Sequence, residues 1–374
     1  MNFRERFIAS LDFSKPDKVC FIPGGPREST FKRWHSEGLP ENTDYMEVLC
    51  SIIGIPYEKQ GSSKYISVSF RMNPMFEEKI LQHKDGHYIV QDWMGAIVEI
   101  SDKYDLSYLR AAKDFVTRKW YKFPVETRTD WLEMKKRYDP DDPMRFPENF
   151  DELALANKNR TWLQSLGFAG PFWQLRDWCG FEGLCMLMVE DPEFVEEMAE
   201  FWKDFVLAVM EKFFAKATCD HLLISEDMAY KEKSMISPAM AKKFLAPCWK
   251  AWSERAQKAG CKIIEVDSDG YIGELIPVWI ESGINVCSPI EIAAGNNLVE
   301  YRKKFGKNMA YRGGIDKRAI AKGGKYLEEA MAFVPFLLEE GGYIPGCDHG
   351  VPPDISWQNF IEYARMLAGM TGWL

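Results

Sequence analysis

A unit that recurs from Thr161 onward is the feature that most constrains the fold of this sequence. Each unit has a short apolar run, then polar residues, then a helical pattern that ends near a glycine. The apolar runs are TWLQSLGFAG, HLLIS, KIIEV, INVCS, MAYR and YIPG. From HLLIS onward, five strand–loop–helix units in a row predict parallel strands joined by helices. We therefore predict an α/β fold of the (β/α)8 barrel type; an open doubly wound sheet is the alternative.

Acidic and sulfur-bearing residues follow the predicted strands, just beyond their carboxyl ends. In the run KIIEVDSDG, Asp267 and Asp269 are two positions apart, so an extended strand would turn both side chains to one side. A barrel brings all such loops to one face, whereas an open sheet would bring only the loops at its switch point to a site. The residues expected to converge are Glu226, Asp227, Asp267, Asp269, Glu291, Asp316, Cys347 and His349.

The N-terminal third lacks the repeating pattern of strand, loop and helix. An amphipathic first helix precedes a short apolar strand at 19–22, and apolar residues alternate with polar ones from 65 to 72. The run HYIVQDWMGAIVEI predicts two strands around Met94 and Gly95. We expect one barrel domain over residues 1–374, with an insertion of mixed strands and helices at about 58–160.

Composition narrows the class of protein. The formal net charge is −9 and the basic residues are scattered, which argues against nucleic acid as a partner. No apolar run approaches the ~20 residues that span a bilayer, and the first residues lack the apolar core of a signal peptide. We expect a cytoplasmic protein with no membrane partner. The nine cysteines are odd in number and form no CxxC pair, so a disulfide framework is not expected.

A cluster of carboxylates with one cysteine and one histidine would repel itself unless a cation or shared protons compensate. Zinc accepts carboxylate, thiolate and imidazole ligands, which makes a zinc site one interpretation. The alternative is structural, because an aspartate at a strand end often caps the next helix. That alternative applies to Asp227, Asp316 and Asp354.

Several runs resemble a known family: SEDMAYKEKSMISPAM, the strand with DSDG, PIE followed by AAGNN, YRGGIDKRAI, and GGYIPGCDHGVPPDISWQNF. Together they resemble the uroporphyrinogen decarboxylase superfamily, and within it the branch of cobalamin-dependent methyltransferases. The resemblance covers about Leu166 to Met370 well and the N-terminal third loosely. It implies a (β/α)8 barrel.

Departures from the family pattern narrow the implied function. The arginine-rich segment that holds porphyrinogen carboxylates in the decarboxylases is replaced by GGPREST, with only Arg27. In the branch that methylates coenzyme M, a His-x-Cys pair binds zinc where this chain has Asp267 and Asp269, while Cys347 matches a later cysteine ligand. The pattern resembles methyltransferases that open corrinoid-dependent O-demethylation in anaerobic one-carbon metabolism.

The resemblance implies a specific reaction and set of partners. A small methoxylated compound, with an aromatic one favoured, would pass its methyl group to the Co(I) corrinoid (cobalamin) of a separate partner protein. A homodimer is a further expectation, with the first helix and the segment 64–122 as contact surfaces. The expected roles are metal ligands Glu226, Asp267 and Cys347; catalytic residues Asp269, His349 and Asp227; and substrate-binding residues Trp173, Tyr230, Glu291 and Arg312.

Three other functions stay open from the sequence. A decarboxylase of a polycarboxylate would need several arginines at the mouth, and Arg27, Arg176 and Arg312 are available. A zinc-dependent thiol methyltransferase of the coenzyme M type would run with a thiol acceptor. A non-catalytic binding barrel would need neither metal nor substrate.

Overall fold

Six parallel strands occupy the centre of the computed structural model, which describes residues 1–58, 60–111, 114 and 116–374. Four antiparallel strands precede them in the chain. In chain order the strands are β1 (Lys79–Lys84), β2 (His87–Gln91), β3 (Ile97–Ser101), β4 (Lys119–Lys122), β5 (Ser165–Ala169), β6 (His221–Ser225), β7 (Ile263–Asp267), β8 (Val286–Ser288), β9 (Ala310–Ile315) and β10 (Tyr343–Cys347).

Helices precede the parallel strands and follow each of them. They are α1 (Phe3–Leu11), α2 (Glu28–Ser36), α3 (Tyr45–Ile53), α4 (Tyr108–Ala111), α5 (Arg128–Lys135), α6 (Phe150–Asn157), α7 (Pro171–Cys179), α8 (Phe181–Glu190), α9 (Pro192–Phe214), α10 (Pro238–Met240), α11 (Ala246–Lys258), α12 (Ile276–Glu281), α13 (Leu298–Phe305), α14 (Lys317–Lys322), α15 (Gly324–Met331), α16 (Val334–Glu340) and α17 (Trp357–Met370). A π-helical turn, Ala241–Leu245, joins α10 to α11.

The parallel strands lie side by side in chain order, from β5 at one edge to β10 at the other. The carboxyl ends of β5 to β8 are level, since Ala169 lies opposite Ser225, Ser225 opposite Asp267, and Asp267 opposite Ser288; β9 and β10 extend a few residues further. Helical segments separate successive strands, as right-handed crossovers between parallel neighbours require. The predicted succession of strand, loop and helix is confirmed. Because the strands are parallel, the loops that follow them all lie at the carboxyl end of the sheet.

Two chain segments run along the open edges of this sheet and complete the (β/α)8 barrel. The Pro23 carbonyl accepts a hydrogen bond from the Cys347 amide at 3.1 Å, beside β10. Beside β5, the Tyr65 hydroxyl donates to the Ser165 carbonyl at 2.7 Å. We predicted strands at 19–22 and along 65–72, but in the described chain these segments carry no regular strand pairing. Prolines and glycines at 23–26 explain the first case, because they interrupt a hydrogen-bonded ladder.

Helix α1 closes the floor of the barrel, at the amino ends of the strands. A capping box between Asn2 and Glu5 starts the helix. Its buried face packs on residues from β7 to β10: Phe7 and Leu11 contact a cluster of Cys20, Ile263, Val286, Ala310 and Ile344. Burying two such side chains contributes about 2 kcal/mol each. The predicted amphipathic helix is therefore confirmed, and its apolar stripe faces the barrel.

The antiparallel strands form a separate sheet in the order β1-β2-β3-β4. An Asp-Gly turn joins β1 to β2, with Asp85 and Gly86 both at positive φ (52° and 77°), as a type I′ hairpin requires. One face buries Val90 and Val98. The sheet stands beside the parallel barrel near α7, where the Val125 amide donates to the Trp178 carbonyl at 3.0 Å. The two strands predicted around Met94 and Gly95 are β2 and β3.

The remaining core is aromatic and sulfur-rich. On α9 an apolar stripe belongs to the core, with Phe194, Met198, Phe205, Val209 and Phe213 buried and Phe201 half-buried. All nine cysteines are free thiols, as expected, and eight of them are buried. In the described part of the chain, no helix combines the length and the apolar character that crossing a bilayer requires.

Candidate active site

A cavity of about 580 Å³ opens at the carboxyl ends of the parallel strands. Its described lining includes seven of the ten residues that the sequence predicted for the site: Trp173, Asp227, Asp267, Asp269, Arg312, Cys347 and His349. Glu226, Tyr230 and Glu291 are not among the described residues that line it. The barrel therefore gathers most, but not all, of the predicted residues.

Asp227 follows β6 in an unusual backbone conformation. Its φ is +51°, a left-handed value that a residue other than glycine rarely adopts. Two contacts hold it there: Arg176 Nη1 donates to its carbonyl at 2.9 Å, and the Asp269 amide donates to its Oδ1 at 3.3 Å. Burial and the charge of Asp269 raise its pKa. Backbone strain of this kind is often found at functional sites.

Asp267 ends β7 and faces the cavity. No described residue donates a hydrogen bond to its carboxylate, and three acidic neighbours act on it: Glu265, Asp269 and Asp227. Burial and these charges raise the pKa of Asp267 to about 7. The charge of Arg312 opposes this effect without a hydrogen bond to the Asp267 carboxylate, and a further cation or a proton would stabilise the group.

His349 lies between an acidic and a basic partner. Its Nε2 is 3.0 Å from Asp269 Oδ2, and its Nδ1 is 3.1 Å from Arg27 Nη2. Because a guanidinium can only donate, Nδ1 must be the acceptor and Nε2 must carry the proton that is donated to Asp269. The hydrogen bond to Asp269 raises the pKa of His349. Protonation of Nδ1 would place an N–H donor of His349 against the N–H donor of Arg27. In either state, the Nε2 proton faces Asp269.

Asp269, Glu291 and His349 also form a group that could hold a metal. One ligand atom from each lies within 4.8 Å of the others. Glu291 is already engaged, since its Oε2 accepts from the Gly270 amide at 2.9 Å and its Oε1 accepts from Lys317 Nζ at 2.7 Å. A metal here would compete with the lysine ammonium for Glu291.

Glu226, a predicted metal ligand, has a structural role in the folded chain. It is fully buried, and its Oε2 accepts hydrogen bonds from the Phe172 and Trp173 amides (3.0 and 3.2 Å) at the start of α7, while its Oε1 accepts from Trp249 Nε1. Gly170 makes this possible, because a Cβ there would overlap the Glu226 carboxyl group. Burial raises the pKa of Glu226 to about 8. Glu226 thus anchors the helix that carries Trp173.

Cys347 ends β10 and lines the cavity from a buried position. Burial and the neighbouring charge of Asp348 raise the pKa of its thiol to about 12. Gly24 (φ +123°) packs against it, with a position for Cβ only 2.9 Å from Cys347 Cβ. The side chain is thus a neutral thiol, and a metal would have to remove its proton to bind the sulfur.

The two other predicted substrate-binding residues occupy different surroundings. Tyr230 is 53 % exposed, and its ring meets Phe181 edge-on at 5.9 Å. Arg312 lines the cavity floor, and its Nη1 lies 2.8 and 2.7 Å from the two carboxylate oxygens of Glu265. His221 Nε2 is 2.9 Å from Glu265 Oε2 without the direction of a hydrogen bond. Burial by itself would raise the pKa of Glu265, but Arg312 and His221 hold it well below its usual range.

Sequence reasoning missed three charged residues that organise the site. Glu265 is charged within the apolar run KIIEV, and that alone indicates a buried partner. The carboxylate of Asp348 accepts from the Ile292 amide at 3.1 Å and the Lys317 amide at 3.0 Å, and so joins the loops after β8 and β9 to β10. Lys317 follows the helix cap Asp316, and nothing in its spacing indicates a contact with Glu291.

The comparisons with known proteins agree with this architecture. A family model described as Uroporphyrinogen decarboxylase (URO-D) matches residues 121–366, well over half of the chain. A methyltransferase from Methanosarcina mazei has a similar structure, with 12 % sequence identity, 98 % of each chain covered and a TM-score of 0.53. At this identity the likeness concerns the fold alone.

Two further comparisons add little. A GH26 beta-mannanase from Bacteroides ovatus overlaps 59 % of this chain and 71 % of its own, with 13 % identity and a TM-score of 0.30, which is too low to bear on the fold. By sequence, the chain has no match among curated proteins. On the match over residues 121–366, the chain belongs to the uroporphyrinogen decarboxylase (URO-D) family.

Proposed function

We propose that the chain is a cytoplasmic methyltransferase that demethylates a small methoxylated compound, with an aromatic one favoured, and transfers the methyl group to the Co(I) corrinoid of a partner protein. The observation that carries the proposal is the hydrogen-bonded pair of His349 and Asp269 at the cavity wall. Cleavage of a methyl ether leaves an alkoxide or phenolate unless a proton reaches the oxygen. The pair offers a positioned proton for that step.

The chemistry divides between the partner's corrinoid and this chain. The reduced corrinoid, when its protein is docked, supplies the electron pair for the new bond to the methyl carbon, and its cobalt is oxidised by two electrons. The ether carbon–oxygen bond breaks, and its electron pair stays on the oxygen. The imidazolium form of His349, whose charge Asp269 stabilises, donates one ring proton to that oxygen and becomes the neutral imidazole. Asp227 fixes the Asp269 backbone.

A zinc ion is a second means to stabilise the leaving oxygen. The donor atoms of Asp269, Glu291 and His349 are of kinds that zinc accepts, and their spacing supports a bound ion. When bound, the ion would act as a Lewis acid on the ether oxygen. The set Glu226, Asp267 and Cys347 fits a metal less well, because three hydrogen bonds already occupy the Glu226 oxygens.

The charges of the cavity favour methyl transfer over decarboxylation of a polycarboxylate. Four carboxylates are among the described residues of its lining, against one arginine, and that arginine is paired with Glu265. A substrate with several carboxylates would meet like charges on most of the wall. If the purified protein released CO2 from such substrates, decarboxylation would be the better supported function.

Substrate contacts follow from the same geometry. Trp173 is the one aromatic side chain among the described residues of the lining, and we assign to it the face of an aryl ring. Arg312 lies on the floor, where a polar substituent would reach it. The opening at the strand ends leaves the methyl group accessible to the partner's corrinoid.

The experiment mixes the purified protein with reduced corrinoid, first as free cob(I)alamin and then as candidate corrinoid proteins, and with a panel of methoxybenzenes. Chromatography measures the phenol formed. We expect phenol only when protein and reduced corrinoid are both present, and a rate 10²- to 10⁴-fold lower for His349→Gln. Glu133→Gln, on the exposed side of α5, is the matched control with an unchanged rate. No phenol from any methyl ether would contradict the proposal.

A further inference from the structure

One carboxylate of the cavity lacks the compensation that its neighbours have. Among the described lining residues, Asp227 lies 3.8 Å from Arg176 Nη2, Glu265 pairs with Arg312 at 2.7 Å, and Asp269 pairs with His349 at 3.0 Å. Asp267 ends its strand inside this group, and no described residue donates a hydrogen bond to its carboxylate.

Asp267 is the point at which its buried strand reaches the cavity. Its strand is buried from Ile263 to Val266, and only Asp267 itself is half-buried, toward the cavity. A carboxylate that is partly removed from water and receives no hydrogen bond from a described residue is destabilised. A group that brings both a positive charge and several donors would remove that cost, and an ammonium group brings one charge and up to three donors.

The rest of the lining suits such a group and leaves room for its carrier. About 580 Å³ accommodates a substituted benzene ring with a short side chain. Trp173 adds an indole to the lining, and this ring already has one cation over it, the Arg176 guanidinium at 5.2 Å from the ring centroid. An anionic substituent would instead meet Asp227, Asp267 and Asp269 together.

We propose that the cavity selects a methoxylated substrate that also carries an ammonium group, and that Asp267 binds this group. The methoxy part of the statement rests on the proposed function, and the ammonium part rests on the charges of the cavity. Asp267 thereby acts as a specificity residue in the lining of the cavity.

Binding measurements without corrinoid test the ammonium part alone. Three ligands of matched shape serve as probes: 3-methoxybenzylamine, 3-methoxybenzyl alcohol and 3-methoxybenzoate. Calorimetry measures their dissociation constants with wild type, with Asp267→Asn and with the distant control Glu133→Gln. We expect the amine to bind at least tenfold more tightly than the alcohol, and the benzoate to bind most weakly. The preference should disappear in Asp267→Asn and persist in Glu133→Gln.

A second measurement does not depend on a variant. Binding of the amine to wild type should weaken as salt rises, while binding of the alcohol should not change. Equal binding of amine and alcohol, or a preference that survives in a folded Asp267→Asn variant, overturns the proposal. Zinc binding that needs Asp267 and abolishes the amine preference also overturns it, because the metal is then the compensating cation.

The same ligands separate this proposal from the proposed function. If an amine binds selectively but is never demethylated, the result supports the ammonium site and contradicts methyl transfer. Demethylation of the alcohol at the same efficiency as the amine keeps methyl transfer and rejects the ammonium site.

Discussion

Replacement of Glu265 by glutamine is the perturbation whose effect follows most directly from the structure. Glu265 is fully buried, and Arg312, His221 and Ser288 contact its carboxylate. Glutamine keeps the shape and one acceptor but removes the charge, so the Arg312 guanidinium loses its counterion. Breaking a buried pair in this way costs ~3–5 kcal/mol.

The expected change in melting temperature follows from the size of the chain. An unfolding entropy of about 2.1 cal/mol/K per residue, over 374 residues, gives roughly 0.8 kcal/mol/K near the midpoint. A loss of about 4 kcal/mol therefore lowers the midpoint by about 5 °C. Calorimetry of wild type and Glu265→Gln measures the shift. Glu133→Gln breaks a pair with Lys136 whose side chains are 68–69 % exposed, and should lower stability by less than about 1 kcal/mol.

A double-mutant cycle with Arg312→Met isolates the pair. If Glu265 and Arg312 stabilise each other, the double variant should be more stable than the sum of the single effects predicts, by at least about 2 kcal/mol. Because the pKa of Glu265 is lowered in the folded state, its contribution is present above the unfolded pKa and is lost at acid pH. Single effects that add within about 0.5 kcal/mol would refute the reasoning.

Three other outcomes are expected from the site. Asp267 has a folded pKa of about 7, above its unfolded value, so this residue should contribute a fall in stability of up to about 4 kcal/mol as pH rises from 4 to 7; in urea titrations at each pH, the total fall should be smaller by that amount in Asp267→Asn. Gly170→Ala should lower the melting temperature, since its Cβ would meet Glu226, and cost about 1–3 kcal/mol; Gly183→Ala, in an open helical position, is the control and should be neutral or slightly stabilising. Elemental analysis separates the two means of stabilising the leaving oxygen: about one zinc per chain in wild type and none in His349→Ala would assign the metal to Asp269, Glu291 and His349, whereas a wild type without zinc would leave His349 as the proton donor.

The order of elements could be predicted because local patterns determine it. Short apolar runs predicted β5 to β10 close to their observed positions, and the polar residues after them lie at one end of the barrel because the strands are parallel. The Asp316 side chain caps α14 by accepting a hydrogen bond from the Arg318 amide. This agrees with the structural interpretation, in which an aspartate at a strand end caps the next helix. That the chain is one domain with an insertion at 58–160 stays a prediction.

The site itself could be predicted only in part, because contacts between distant residues decide each role. Glu226 and Asp227 are adjacent in sequence, yet one carboxylate caps a helix and the other faces the cavity. The difference comes from Gly170, which lies beside Glu226 only in the folded barrel. The contact of Arg27 with His349 joins the N-terminal segment to β10, and no pattern in either segment indicates it.

The floor of the barrel has a consequence for the order of events during synthesis. Helix α1 leaves the ribosome before any of the strands against which Phe7 and Leu11 pack, and the last of these strands contributes Ile344. The apolar face of α1 therefore lacks its native contacts while most of the chain is translated. Such sequence-distant closure slows folding, and a nascent chain with an exposed apolar helix is a natural client for a chaperone.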